Sequence, residues 1–161
     1  MDRIRQIQMH PFFQELVQNL QQAEKGRIFC RHTMEHFLDT ARLMYIYNLE
    51  DGAPVKKDII YAAALLHDLG RFEQLQSGTP HEAAGAEAAE KIMQECGFAP
   101  EEILEVKKTI LHHRSKNHEN QDSRLASYLY QADKKSRLCF SCPAKADCNW
   151  PEEKKNLWIE Y

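Results

Sequence analysis

The sequence predicts an all-α protein built around one helical core, and three observations indicate this. Apolar residues recur three and four positions apart along most of the 161 residues, which is the spacing of helices with one buried face. Period-two runs of β-branched residues are absent, and no β-hairpin signal appears. Glycines and prolines fall between the periodic segments, where helices end or begin.

Six helices are predicted in chain order. They cover residues of about 11–24, 31–48, 56–69, 81–96, 101–113 and 123–138. The third contains the apolar run 59–66 and is apolar on nearly all sides, which predicts that it is the central and most buried helix. The fourth is rich in alanine and is therefore suited to close packing. Loops are predicted over 70–80 and 117–121.

The C-terminal residues differ from the rest of the chain. Residues 139–161 contain Pro143, Pro151 and three cysteines, and they lack a helical pattern. We therefore predict two parts. Residues 1–138 form a helical body, and residues 139–161 form an irregular Cys-rich extension that packs on it.

Composition narrows the function. The net charge of −3 argues against a large nucleic-acid face, and the longest apolar run is too short to cross a membrane. The polar N-terminus does not resemble a signal peptide, and five cysteines are an odd number for a disulfide scaffold. We expect a cytoplasmic protein. Its oligomeric state is left open.

The adjacent pair His67-Asp68 ends the most apolar helix. Buried ionisable residues need partners, because leaving them unpaired is costly. On its own the pair is best explained as helix-end residues, but five more candidates lie near helix ends or on inward faces. These are His36, His81, His112, His113 and Asp133. Imidazole and carboxylate groups are ligands for transition metals, and Asp68 could bridge two ions through its two oxygens.

The order His36, His67-Asp68, Asp133 resembles the signature of the HD-domain superfamily of metal-dependent phosphohydrolases. The resemblance covers roughly residues 28–138, and the surrounding segments support it. They read HFLDTARL, ALLHDLGRF, HEAAGAEAAEKI, TILHHR and YQADKKSR. The resemblance implies an HD-domain-like helical bundle. The Gly-Tyr-Pro motif of cyclic-dinucleotide phosphodiesterases is missing, which argues against that substrate.

The resemblance also implies two divalent metal ions, with Fe, Mn, Zn, Ni and Mg as candidates. One ion would be bound by His36, His67, Asp68 and Asp133. The second would be bound by Asp68, His81 and one or both of His112 and His113. Val106, Ile110 and His113 share a helix face, which makes His113 the more inward-pointing of its pair. Such ions lower the pKa of bound water and neutralise phosphoryl charge.

Basic residues that follow Asp68 and Asp133 are candidates for phosphate contact. Arg71 lies one turn past the pair, and its planar guanidinium suits a phosphate, although an ordinary surface charge is an equal alternative. Lys134, Lys135 and Arg137 follow Asp133, and a helix can point at most one of them at a substrate. The resemblance favours Lys134 or Arg137.

Three other histidines have weaker claims. His10 and His118 are interpreted as structural or solvated. His32 lies one turn before His36 and is a minor candidate for the site.

The cysteines suggest a second site. Cys139, Cys142 and Cys148 have chelating spacing, and a tetrahedral zinc or a 4Fe-4S cluster needs a fourth ligand. Cys30 is the preferred fourth ligand. It precedes His36 by six residues and Cys139 follows Asp133 by six, so antiparallel helices would bring both cysteines to one end. Cys96 has apolar neighbours and is interpreted as a buried residue. Free thiols are the remaining alternative.

The leading hypothesis is a phosphomonoesterase or phosphodiesterase that cleaves a small phosphate ester or nucleotide with a mononuclear or dinuclear His/Asp metal site. One alternative is a regulatory or redox-sensing HD protein with a thiolate metal or iron–sulfur site, and another is an HD-type di-iron oxygenase. Specificity is expected to depend on the loops at 72–80 and 115–122.

Overall fold

The regular secondary structure is helical throughout the described part of the chain. The structure is a computed structural model that describes residues 1–113 and 123–159. Its α-helices are α1 (Asp2–Met9), α2 (Pro11–Ala23), α3 (Met34–Glu50), α4 (Lys57–Leu66), α5 (Arg71–Ser77), α6 (His81–Glu95), α7 (Pro100–His112) and α8 (Arg124–Lys135). Short 3-10 turns follow at Cys139–Ser141 and Glu152–Lys154. The all-α prediction is confirmed.

Helices α1 and α5 were not among the six predicted helices. Helix α1 is short and polar and buries only Ile4 and Ile7, too few residues for a clear periodic signal. Helix α5 lies where a loop was predicted, and none of its residues is buried, so that prediction is wrong. It ends at Gly78, whose positive φ of 79° makes a left-handed C-terminal cap.

Helix α4 is the centre of the molecule, as its apolar sequence predicts. All residues from Ile59 to Leu66 are buried except Tyr61, which is half-buried. The helix packs against α1, α3, α6, α7 and α8. Two pairs of helices flank it, α3 with α8 and α6 with α7. Because α4 touches both pairs, the residues that follow its C-terminal end lie where the two pairs converge.

Side chains at helix starts fix where the site-bearing helices begin. The hydroxyl of Thr33 accepts a hydrogen bond from the backbone N–H of His36 at 3.3 Å, which caps α3. Ser123 caps α8 in the same way. His10 accepts from the backbone N–H of Phe12 and pairs with Glu95 at 3.0 Å, so it is structural, as predicted.

No described helix is long and apolar enough to cross a bilayer.

A partly buried ion network ties α1 to α4 and α7. The Arg3 guanidinium contacts Glu102 and donates from Nε to Asp58 at 2.9 Å. Lys56 donates to Glu102 at 2.9 Å, and the Glu102 side chain is only 10% exposed. These contacts, the Arg3 bond first, lower the pKa of Glu102 from 4.5 to about 2. A depressed carboxylate pKa stabilises the fold above pH 4.5, and this contribution disappears as the pH falls toward 2.

We expect Glu102→Gln to lower the free energy of unfolding by about 2 kcal/mol at neutral pH, because it leaves Arg3 partly unpaired. Urea unfolding as a function of pH measures the effect. The difference from the unmodified protein should shrink steadily below pH 4.5 and be nearly gone at pH 2. The exposed neighbour Glu101 is the matched control, and Glu101→Gln should have little effect. A difference that stays constant across this pH range would contradict the assignment.

Candidate metal centre

His67 and Asp68 lie immediately after α4 and are almost completely buried, at 0% and 1% exposure. The ring of His67 is oriented by its Nδ1, which donates to the carbonyl oxygen of Ala64 at 2.8 Å. Its Nε2 therefore faces the carboxylate of Asp68 at 3.0 Å. A histidine held by a backbone carbonyl through one nitrogen, with the other nitrogen free, is typical of metal ligands.

The first candidate ion site joins α3 and α8 to this pair. Ligand atoms of His36, His67, Asp68 and Asp133 all lie within 4.8 Å of one another. The Nε2 of His36 lies 3.5 Å from Asp133 Oδ1 and 3.9 Å from Asp68 Oδ2. The other ring nitrogen of His36 lies 3.1 Å from the hydroxyl of Ser136. The sequence did not single out Ser136.

The second candidate ion site joins α6 and the end of α7 to the same aspartate. Ligand atoms of Asp68, His81 and His113 lie within 4.8 Å of one another. Asp68 Oδ1 is 3.6 Å from Nε2 of His81 and 3.8 Å from Nε2 of His113. His113 is oriented by a hydrogen bond from Nδ1 to the carbonyl oxygen of Ile110 at 2.6 Å. The two carboxylate oxygens of Asp68 therefore face different groups of histidines.

The donor set fits divalent metal ions. Among the described residues, the Nε2 atoms of four histidines are buried without a hydrogen-bond partner, namely those of His36, His67, His81 and His113. Buried polar atoms without partners are rare in folded proteins and demand an explanation. All four belong to the two groups around Asp68, and imidazole with carboxylate is the ligand chemistry of Zn, Fe, Mn and Ni.

The carboxylates dominate the electrostatics of the site. Burial lowers the pKa of His36 to about 4, and burial and Arg71 together lower that of His81 to about 4. Burial would also lower the pKa of His67, but Asp68 and Asp133 raise it to about 10. His67 in turn holds the pKa values of both carboxyls below their usual range, against the effect of burial. Asp68 and Asp133 are therefore anionic at pH 7, whereas His36 and His81 are neutral.

The structure separates His112 from His113. His113 is 1% exposed and lies in the cluster. His112 is exposed, and its Nδ1 bonds to the carbonyl oxygen of Lys108 within its own helix. The face shared by Val106, Ile110 and His113 accounts for the difference, because both apolar residues are fully buried.

The basic residues considered for phosphate contact lie in different surroundings. Arg71 donates from Nε to Asp68 Oδ1 at 3.0 Å, and its Nη2 is buried without a partner. It is therefore part of the site and not an ordinary surface charge. Lys134 lies over the ring of Tyr130, with Nζ 2.8 Å from the ring centroid, and burial lowers its pKa to about 8. The guanidinium of Arg137 stacks on Trp150 at 4.0 Å, toward the extension.

Sequence reasoning missed Glu24 and underrated His32. Glu24 is 4% exposed and accepts from the backbone N–H of His32 at 2.8 Å, with the His32 ring Nδ1 at 2.6 Å. These bonds lower the pKa of Glu24 although burial opposes ionisation. The His32 Nε2 lies 3.4 Å from Asp68 Oδ2. His32 does lie near the site, but it precedes α3. Its position therefore does not come from helical spacing relative to His36.

A close backbone contact sets the position of His81. Gly70 packs so tightly on the start of α6 that an added Cβ would lie 2.1 Å from the carbonyl oxygen of His81 and 2.5 Å from the backbone nitrogen of Gly85. The turn that carries His67 and Asp68 is thus packed directly against the helix that carries His81.

The remaining candidates are His118, the loop at 115–122 and the cysteines. His118 and the loop at 115–122 fall in the range 114–122, outside the described residues. Cys96 is buried, at 3% exposure, as its apolar neighbours predict. The other four cysteines are not members of either ligand group around Asp68.

Comparison with known proteins places this architecture in a family. The sequence model of the HD domain family matches residues 33–138. The chain belongs to the HD domain family. Its sequence is 46% identical over 138 residues to an uncharacterized protein of Clostridium beijerinckii, covering 86% of this chain and 85% of that protein. Its fold is similar to that of a predicted HD superfamily hydrolase from an uncultured Thermotogales bacterium. That match has a TM-score of 0.63 at 22% identity, covering 91% of this chain and 83% of the other.

Proposed function

We propose that this chain is a metal-dependent phosphohydrolase that cleaves a small phosphate ester or nucleotide with two divalent ions. The observation that carries the proposal is the position of Asp68. Its Oδ2 faces His67 and His36, and its Oδ1 faces His81 and His113. A carboxylate between two sets of imidazole nitrogens is suited to bridging two ions.

The residues divide into two ligand sets. His36, His67, Asp68 and Asp133 would hold one ion, and Asp68, His81 and His113 would hold the other. Two ions in such a site supply a nucleophilic hydroxide near neutral pH and stabilise the charge of the transferring phosphoryl group. The protein contributes rigidity, because backbone carbonyls orient His67 and His113 before any ligand arrives.

Arg71 is the residue best placed to bind a substrate phosphate. Its Nε is fixed by Asp68 and its Nη1 by Gln74 at 3.1 Å, which leaves Nη2 without a partner. A guanidinium held in this way can offer its free N–H groups to a phosphoryl oxygen without losing its position. Lys134 stays a candidate for the same role, from its place beside Asp133, if its side chain leaves Tyr130.

The adjacent histidines provide the sharpest test. The purified chain is loaded separately with Mn²⁺, Fe²⁺, Ni²⁺, Zn²⁺ or Mg²⁺, and phosphate release is measured on a panel of phosphomonoesters, phosphodiesters and nucleotides. With the best metal and substrate, we expect His113→Ala to lower kcat/KM at least roughly 100-fold, because it removes a ligand. His112→Ala is the matched control and should stay within about twofold, because its side chain is outside the cluster.

Three results would count against the proposal. They are equal losses in both variants, activity without a divalent ion, and no phosphate release from any substrate. Oxygen consumption by the iron-loaded protein in the absence of phosphate release would favour the di-iron oxygenase instead.

A further inference from the structure

Four of the five cysteines belong neither to the proposed hydrolytic site nor to the hydrophobic core. Cys139, Cys142 and Cys148 lie in the C-terminal extension, and Cys30 lies in the connection between α2 and α3. All four are free thiols, with Cys30 exposed and the others half-buried. They come from chain segments that are more than a hundred residues apart.

The packing of α3 on α8 brings these segments to one end of the molecule. The contact between His36 Nδ1 and the Ser136 hydroxyl at 3.1 Å places the first turn of α3 beside the last turn of α8. Cys30 lies three residues before the Thr33 cap of α3, and Cys139 lies three residues after Ser136. Both segments therefore leave the helical pair at the same place.

The extension then folds back on this end instead of leading away from it. Asn156 Nδ2 donates to the carbonyl oxygens of Lys134 at 2.7 Å and Arg137 at 2.9 Å, which caps the exposed end of α8. Successive turns hold the cysteines between these points, with the backbone N–H of Cys142 bonded to Cys139 O and that of Cys148 to Lys145 O. The three cysteines are thus on one compact loop.

Electrostatic contacts place the four thiols close to one another. The pKa of Cys30 is raised by burial first, and also by the negative charge of neighbouring Cys139 and Cys142. The nearby guanidinium of Arg137 acts in the opposite direction. The ammonium of Lys155, paired with Glu152 at 2.7 Å, is close enough for Cys148 and Cys139 to raise its pKa. All four thiols therefore share one neighbourhood.

Hydrophobic burial does not account for the order of the extension. In its described residues, 139–159, Ala144 is the only hydrophobic residue that is buried. Phe140, Trp150, Trp158 and Ile159 are all exposed. Short segments without a core generally need a metal or a covalent crosslink to hold one conformation.

We propose that Cys30, Cys139, Cys142 and Cys148 bind one iron–sulfur cluster, which fastens the C-terminal extension to the start of α3. The spacing of the thiols favours a cluster over a single zinc ion. Tetrahedral zinc with bonds of 2.3 Å requires its four sulfurs about 3.8 Å apart. Among the described residues, no three cysteine sulfurs lie within 4.8 Å of one another. A cluster suits wider spacing, because each thiolate binds a different iron atom. This site is separate from the proposed hydrolytic function.

The test is anaerobic purification of the whole chain, followed by reconstitution with Fe²⁺ and sulfide. Acid-labile sulfide, iron content and visible absorbance are measured per chain. Sulfide is the decisive readout, because iron bound at the His/Asp site would carry no sulfide. We expect Cys30→Ser and Cys142→Ser each to lose most of the sulfide and the visible absorbance. Cys96→Ala is the matched control and should keep both, since Cys96 belongs to the core of the helical body.

Cys30 gives the cleaner variant, because it is exposed and its replacement leaves the helical core untouched. Circular dichroism verifies that each variant keeps its helices. The proposal is overturned if reconstituted protein holds no sulfide, if Cys30→Ser retains the full amount, or if the cysteines bind stoichiometric zinc instead. Hydrolytic activity is measured on the same samples, so that a failure of either proposal is seen independently of the other.

Discussion

Replacing Asp68 with alanine is expected to remove metal from both ligand groups and to abolish hydrolysis, while the helical fold survives. Asp68 is the one residue common to both groups. Each of its oxygens faces two of the candidate histidine ligands, so no other single substitution disturbs both sites. We expect kcat/KM to fall by more than roughly 100-fold, because loss of a ligand exceeds the usual cost of disturbing a residue that only orients one.

Metal content by mass spectrometry and phosphate release are the two measurements. Asp39→Ala is the matched control, because Asp39 is a half-exposed aspartate of α3 whose partner, Arg42, lies at the surface. It should retain metal and activity, since an exposed ion pair of this kind contributes little. An Asp68→Ala protein that turns over a validated substrate at the native rate would refute the site assignment.

The resemblance to HD domains implied the ligand set, whereas two features of the site follow from local determinants in the sequence. The uniform apolarity of 59–66 predicts a central helix, and a buried pair at its end needs partners whatever the tertiary structure is. The i, i+4, i+7 relation of Val106, Ile110 and His113 predicts which of two adjacent histidines points inward. Both conclusions depend on helical geometry alone.

The sequence did not predict features that depend on contacts between distant segments. Glu24 looks like an ordinary helix-terminal acid, and only its approach to His32 shows that it is a buried anion beside the site. Ser136 acquires a role only when α8 packs on α3. Helix α5 buries none of its residues, so its sequence carries no periodic signal to distinguish it from a loop.

Contacts between distant segments also decide the roles of the basic residues after Asp133. The sequence indicates that a helix can direct only one of them at the site, but it does not identify that residue. The structure places Arg137 against Trp150 of the extension and Lys134 over Tyr130. The residue with an unpartnered donor beside Asp68 is Arg71, which comes from a different element. Its position depends on the tight turn between α4 and α5.

Gly70→Ala is expected to be the most damaging substitution outside the ligands. The added methyl group would meet the backbone at 2.1 Å from His81 O and 2.5 Å from Gly85 N, and backbone atoms cannot rotate away as a side chain can. Either the turn after Asp68 or the start of α6 must move. We expect a loss of about 3 kcal/mol in the free energy of unfolding, at the upper end for an overpacked core.

The same displacement should weaken metal binding, because it separates His81 from Asp68 without altering any ligand. Thermal unfolding should show a melting temperature lower by roughly 6–12 °C. A metal titration of the folded variant should show selective loss of the ion that we propose is held by Asp68, His81 and His113. Gly26→Ala is the matched control, since a Cβ there meets nothing within 4 Å, and it should be neutral. If Gly70→Ala kept both its melting temperature and its full metal content, the close contact between this turn and α6 would not be what positions His81.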